Sequence, residues 1–233
     1  MAVVLLPVYR PGHHLFTFTG GLSAAGGVDA VVVVDDGTGE EAAPVLAAAA
    51  GLGCTVLRHP VNRGKGIALK TGFRHIAERF PGHDVVCADA DGQHSVADVL
   101  RVAERTAATG HTVLGVRDLE RMPLRSRVGN TATRVLFRAA TGRPVEDTQT
   151  GLRGYPAGLL GWLQSVPGER FEYEMNVLLY AARRGHPMEQ VTIATRYLDD
   201  NTSSHFSPVA DATRIYWPLL RFVASGLMSS RTR

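Results

Sequence analysis

A chain of 233 residues, 45% hydrophobic and 20% charged, has the composition of one ordinary globular domain with a sizeable core. Its formal charge of +3 is dispersed rather than gathered into a dense basic run, which argues against a nucleic-acid partner. No apolar stretch is long enough to span a bilayer, and the apolar start "MAVVLLPVYRPG" is too short, and lacks the basic lead, for a signal peptide. Cys54 and Cys87 lie in strand-like apolar runs and read as buried free thiols of a reducing, cytoplasmic compartment.

In chain order, a first strand is expected over Val3–Pro7 and a helix over Leu15–Ala25. The next strand, Ala30–Asp35, contains Val31 to Val34 without interruption, as a strand buried on both faces does. Helix Glu40–Ala50, strand Cys54–His59, helix Ile67–Phe80, strand Val85–Asp89, helix Val96–Thr109 and strand Thr112–Val116 continue the alternation. That rhythm predicts βαβ units and a mostly parallel sheet with helices on both faces. The second half changes character. Helices Asn130–Ala140 and Glu172–Arg184 flank the polar string "VEDTQTGLRGYP", and one more strand is expected over Gln190–Arg196. No linker or repeat separates the halves, so the expected fold class is a single α/β domain whose first half is of the nucleotide-binding kind.

In open α/β sheets ligands bind beyond the carboxyl ends of the strands, and three such ends carry chemistry. "VVVVDDGTGE" leaves Asp35 and Asp36 where a carboxylate can accept from a base or ribose, although Asp-Gly is equally a turn dipeptide. "HPVNRGKGIALKTGF" opens a helix in which Gly64 and Gly66 permit close backbone approach and Lys65 adds charge for an anion. Its glycine spacing is not that of a Walker A loop. "VVCADADGQH" ends a strand in Asp89 and Asp91. Two carboxylates side by side repel and lose solvation, and a divalent ion such as Mg²⁺ or Mn²⁺ relieves both costs. Gln93 or His94 would complete its sphere or orient a bound water. A solvated loop that caps the following helix is the plainer alternative.

Taken in order, "LLPVYRPG", "VVVVDDGTG", "NRGKGIALKTGF", "ADADGQH", "GVRD", "PLRSRVGN", "EDTQTGLRGYP", "GERFEYEMNVLL" and "YLDDNTSSHFSPVADATRIY" resemble the family-2 glycosyltransferases of the GT-A fold. Within them the sequence is most similar to the polyprenyl-phosphate glycosyltransferases of the dolichyl-phosphate mannose synthase type, over residues 3 to 216. The resemblance implies a nucleotide-diphosphate sugar donor, a divalent metal and a polyprenyl-phosphate acceptor. It implies that Pro7, Tyr9 and Asp36, with Asp35 beside it, contact base and ribose. Asp89 and Asp91, with Ala90 between them and Gln93 assisting, would hold the metal against the diphosphate near Lys65. Arg117 in "LGVRD", and Arg125, Ser126 and Arg127 in "PLRSRVGN", would meet phosphate through guanidinium forks and a hydroxyl.

Asp147, Gln149 and Arg153 share one polar loop. A phosphate acceptor is already ionised near neutral pH, so Asp147 need not be a strong base and would instead position the arginines. Asp91, Arg117, Asp147, Arg125 and Arg127 are thus the expected catalytic set. Glu172 and Glu174 would reach sugar hydroxyls, or serve as acids at a helix start. His205, with Arg196 and Ser204 nearby, would close over the diphosphate. Residues 1–214 form the expected catalytic domain. The apolar tail 215–233 either lies on a membrane surface or packs on the domain or a partner chain. Relatives of this type continue into a membrane domain, which implies peripheral attachment at the cytoplasmic face or a membrane part supplied separately; a homo-oligomer is left open. The alternative within the same family is a soluble acceptor such as a natural-product or glycan intermediate, and two other classes compete. A nucleotidyltransferase needs a glycine-rich loop where this chain has "VYRPGHH", and a non-catalytic nucleotide-sugar binder would tolerate Asp91→Asn.

Overall fold

Apolar strand residues sort by parity onto two helical layers. The computed structural model describes residues 1–118, 124–194 and Phe222. Strand β1 (Ala2–Val8) sends Val4, Leu6 and Val8 to one face and Val3 and Leu5 to the other. The first face is covered by α1 (His14–Ala25), α2 (Ala43–Gly51, entered through a 3₁₀ turn at Glu40–Ala42) and α4 (Val96–Thr109). Over the second lie α3 (Lys65–Arg79), α6 (Leu160–Ser165) and α7 (Glu172–Arg184). A third cluster joins Phe137 of α5 (Leu124–Thr141) to Met175, Leu178 and Leu179 of α7, with Phe222 packed against it.

The remaining strands are β2 (Ala30–Asp35), β3 (Thr55–Arg58), β4 (Asp84–Cys87), β5 (Thr112–Arg117), β6 (Arg153–Tyr155) and β7 (Met188–Ile193). They form one seven-stranded sheet in the order β3-β2-β1-β4-β6-β5-β7. Every pairing is parallel except those of β6, which runs antiparallel to both β4 and β5. Parallel strands buried on both faces read as continuous apolar runs, and Val32, Val33 and Val34 are fully buried. The expected α/β domain with a mostly parallel sheet is therefore what forms.

The differences are local. Strand β4 stops at Cys87, and the Ala88 amide donates to the Leu5 carbonyl at 3.1 Å before the chain turns, so Asp89 lies in the loop rather than the strand. Helix α5 begins at Leu124, which places Arg125, Ser126 and Arg127 on its first turn instead of in a preceding loop. Strand β6 is short, with glycine at its centre, and has no alternation to betray it. Gly154 is there for packing: a Cβ would lie 3.0 Å from Val102 Cγ1 of α4. Strand β7 starts at Met188, and the expected end at Arg196 lies outside the described residues, as do Ser204, His205 and the tail 215–233 apart from Phe222.

Candidate active site

The carboxyl ends of β1, β2, β4 and β5 open on one edge of the sheet, and the reversed β6 is entered from that same edge. At the β2 end both aspartates turn inward. Asp35 Oδ1 accepts from the Thr38 amide at 3.2 Å and from its hydroxyl at 2.6 Å, while Oδ2 accepts from Arg58 Nε at 3.3 Å. Asp36 accepts from the Arg63 amide at 2.9 Å and the Gly64 amide at 2.7 Å, and pairs with His59 Nδ1 at 2.8 Å. Asp36 thereby fastens the loop before α3. The Arg10 amide donates to Thr38 Oγ1 at 2.8 Å, which ties the β1 end to the same network. Arg10 has a φ of 51°, and its guanidinium lies 5.3 Å from the centre of the Tyr9 ring. Pro7 and Tyr9 are half-buried at this edge.

Beyond β4, Asp89 Oδ1 lies 2.8 Å from Lys65 Nζ, which lies equally 2.8 Å from Glu174 Oε2. Asp89 rests against Gly151, where any Cβ would collide with its carboxylate. Burial alone would raise the Asp89 pKa, but Lys65, followed by His94 and Arg117, outweighs it and holds the group down at about 2. Asp91 moves the other way, raised by burial and by the charge on Asp89. Its Oδ1 accepts from the Gln93 amide at 3.0 Å, so Gln93 shapes the loop through its backbone. Ala90, between the two acids, packs against the core below α4. Next to them His94 is buried with Nδ1 lacking a hydrogen-bond partner. Burial lowers its pKa, against the pull of Asp89 and Asp91.

At the β5 end Arg117 donates from Nε to Asp147 Oδ2 at 2.6 Å and from Nη2 to Oδ1 at 3.0 Å. The Arg117 and Gln149 amides add bonds to the same carboxylate at 3.4 and 3.1 Å. Asp147 is fully buried. Arg153, also buried, donates to the carbonyls of Thr150, Glu174 and Thr148, and so anchors the loop holding Asp147 to the start of α7. Glu172 caps its own turn, Oε1 accepting from the Glu169 and Arg170 amides at 2.9 and 3.1 Å. Arg127 is exposed on the first turn of α5. The side chains of Arg125 and Ser126, like Arg196 and His205, lie outside the described residues.

The chain matches the Glycosyl transferase family 2 profile over residues 21–155, more than half its length. It belongs to glycosyl transferase family 2. An uncharacterized protein of Methanocaldococcus jannaschii is 32% identical over 74% of this chain and 72% of its own length. A UDP-N-acetylglucosamine–dolichyl-phosphate N-acetylglucosaminyltransferase of Methanococcus voltae is 28% identical over 61% of this chain and 59% of its own. An undecaprenyl-phosphate 4-deoxy-4-formamido-L-arabinose transferase of Pseudomonas paraeruginosa is 32% identical over 65% and 46%. The matches thus span less than two thirds of either named transferase. Among solved structures, glucosyl-3-phosphoglycerate synthase of Mycobacterium tuberculosis with phosphoglyceric acid superposes with a TM-score of 0.73 at 18% identity, over 96% of this chain and 80% of that one. The same enzyme with Mn²⁺, UDP and glucosyl-3-phosphoglycerate gives 0.72 at 19% identity, over 96% and 80%. These likenesses establish the GT-A fold.

In this family 2 glycosyltransferase the donor set at β4 fits a divalent ion. Asp89 and Asp91 offer hard oxygens, and His94 adds a buried nitrogen that lacks a partner. Among the described residues no group of three or more acidic, imidazole or thiol ligands encloses a metal position, so an ion here would be held by Asp89 and Asp91 and not by a full protein cage. Open coordination suits an ion that binds through one or two carboxylates and leaves positions to substrate phosphates. Sequence reasoning missed three features. The Lys65–Glu174 pair joins residues that only the packing of α3 on α7 brings together. Gly64 and Gly66 serve that packing: Cβ atoms there would lie 2.5 Å from the Glu169 carbonyl oxygen and 2.7 Å from Tyr173 Cβ. The Gly151 contact with Asp89 was likewise hidden, the glycine being legible only as a loop residue.

Proposed function

We propose that this glycosyltransferase moves a hexose from a nucleotide-diphosphate sugar, UDP- or GDP-linked, to polyprenyl phosphate at the cytoplasmic membrane face, with inversion at the anomeric carbon. One observation carries the acceptor class. Asp147, in the polar loop beside Arg117, accepts four hydrogen bonds and is fully buried. A carboxylate has about four acceptor sites, so no lone pair is left to remove a proton. An acceptor that arrives ionised, such as a phosphomonoester, needs no such removal. The names of the M. voltae and P. paraeruginosa relatives favour a lipid phosphate.

In this reading Asp89 and Asp91 would hold Mg²⁺ or Mn²⁺, which neutralises charge on the leaving diphosphate when bound. Pro7 and Tyr9 face the base and ribose. Arg117, locked by its fork onto Asp147, presents a fixed cation to the acceptor phosphate, joined by Arg125, Ser126 and Arg127 at the start of α5. Glu172 and Glu174 frame the sugar side, and Arg196 and His205 close the diphosphate side. The acceptor oxygen then attacks the anomeric carbon opposite the nucleotide, which leaves as its diphosphate. The test is transfer of radiolabelled sugar from UDP- and GDP-hexoses to undecaprenyl phosphate with Mn²⁺. Label in the organic phase is expected. Label found only in water-soluble product with a small phosphorylated acceptor would replace the lipid by a soluble substrate, and no transfer to either would remove the reading.

A further inference from the structure

The edge of the site already holds a cation of its own. Lys65 Nζ lies 2.8 Å from oxygens of both Asp89 and Glu174, and the lysine side chain is only 16% exposed. Its backbone is packed closely against the segment before α7. Lys65 is the first residue of α3, and the Ile67 amide two residues on donates to the Glu169 carbonyl at 3.0 Å. Gly64 and Gly66 press that turn onto the segment before α7. Asp89 sits with its carboxylate against Gly151 and Oδ1 turned to the ammonium. The movable part is the lysine side chain.

We propose that Lys65 is a built-in counter-cation that occupies Asp89 in the ligand-free protein and is exchanged for the divalent metal when the nucleotide diphosphate arrives. The inference rests on the reading of Asp89 and Asp91 as the metal-holding pair. Asp89, Asp91 and Glu174 bring three carboxylates around the one ammonium of Lys65, so the lysine alone does not neutralise the cluster. A dication approaching Asp89 Oδ1 meets the ammonium at short range, and two cations sharing one oxygen repel. A diphosphate relieves the conflict by offering Lys65 a new anionic partner while Glu174 keeps the side chain in the site. Metal and nucleotide then bind cooperatively, and by linkage each raises the affinity for the other by one factor.

The test follows Mn²⁺ binding to the full chain by electron paramagnetic resonance of the free ion, with and without UDP, so no turnover is read. For the unaltered protein UDP is expected to tighten Mn²⁺ binding by about tenfold or more. In Lys65→Met, Mn²⁺ alone binds several-fold tighter and most of the UDP-dependent gain disappears. Lys65→Arg keeps the weak metal-only binding, and Glu174→Gln weakens it further because the ammonium then has Asp89 alone. Should Lys65→Met fail to fold by circular dichroism, Lys65→Gln takes its place. Metal-only affinity that stays unchanged or falls in the folded, uncharged variant overturns the exchange. Asp91→Asn separates the two levels. If it abolishes Mn²⁺ binding while Lys65→Met changes nothing, only the exchange fails; if it binds Mn²⁺ as the unaltered protein does, the metal reading fails and the exchange with it.

Discussion

Asp147 and Arg117 form a pair in which each member is costly to leave alone. Asp147→Asn keeps the shape but turns an amide group toward guanidinium donors in a fully buried place. Breaking such a pair costs about 3 kcal/mol, and urea denaturation should show a loss of that size together with loss of transfer. Gly151→Ala tests the opposite wall. Its methyl group would displace the Asp89 carboxylate, and a shift of about 1 Å at a reacting centre lowers turnover by roughly 100-fold, measured by initial rates on a protein whose melting temperature is checked alongside. Some of this was legible residue by residue. Asp89 and Asp91 stood out because a strand led into them and a glycine followed. Asp35 and Asp36 stood out equally, yet three bonds to each tie them to Thr38 and Arg58 and to His59, Arg63 and Gly64. Nothing in a strand-end aspartate tells which way its oxygens turn.

Helix α4 shows how an element positions chemistry. Ser95 is its N-cap: Oγ accepts from the Asp98 amide at 3.1 Å and donates to Asp98 Oδ2 at 2.7 Å. This reciprocal cap fixes where the helix begins, and so where His94 and the loop from Asp89 to Gln93 must end. Ser95→Ala should cost about 1 kcal/mol, seen by calorimetry as a drop of roughly 2–4 °C in melting temperature. The periodic elements were readable from sequence because parallel βαβ units impose apolar strands and helical spacing together. Strand β6 and helix α6 were not, because they are short and take their place from packing, β6 between β4 and β5 and α6 against α3. The six extra residues at the start of α5 were obscured by the arginines of "PLRSRVGN", which read as a polar loop although arginine is a good helix former.

Across the whole molecule, acid sensitivity should trace the Lys65–Asp89 contact. Asp89 is held at about 2 in the fold against an ordinary 3.8, the lysine charge overcoming the effect of burial. A depressed carboxylate stabilises fully above its unfolded value, and that contribution is lost as pH falls through the folded one. Asp91, raised by burial and by Asp89, works in the opposite sense. Urea titrations without metal at about pH 5, 4 and 3 should therefore show a steeper loss for the protein than for Lys65→Met, which lacks the depressing charge; equal slopes would contradict the assignment. The reversal of β6 has a further result. Because that strand enters the sheet backwards, the segment leading into it drops a wall beside Asp89 and Arg117 while β3, β2, β1 and β4 remain a continuous parallel run. Within residues 143–150 the buried Val145, Asp147, Thr148 and Thr150 fix that wall, so variation on this side is confined to the exposed positions between them.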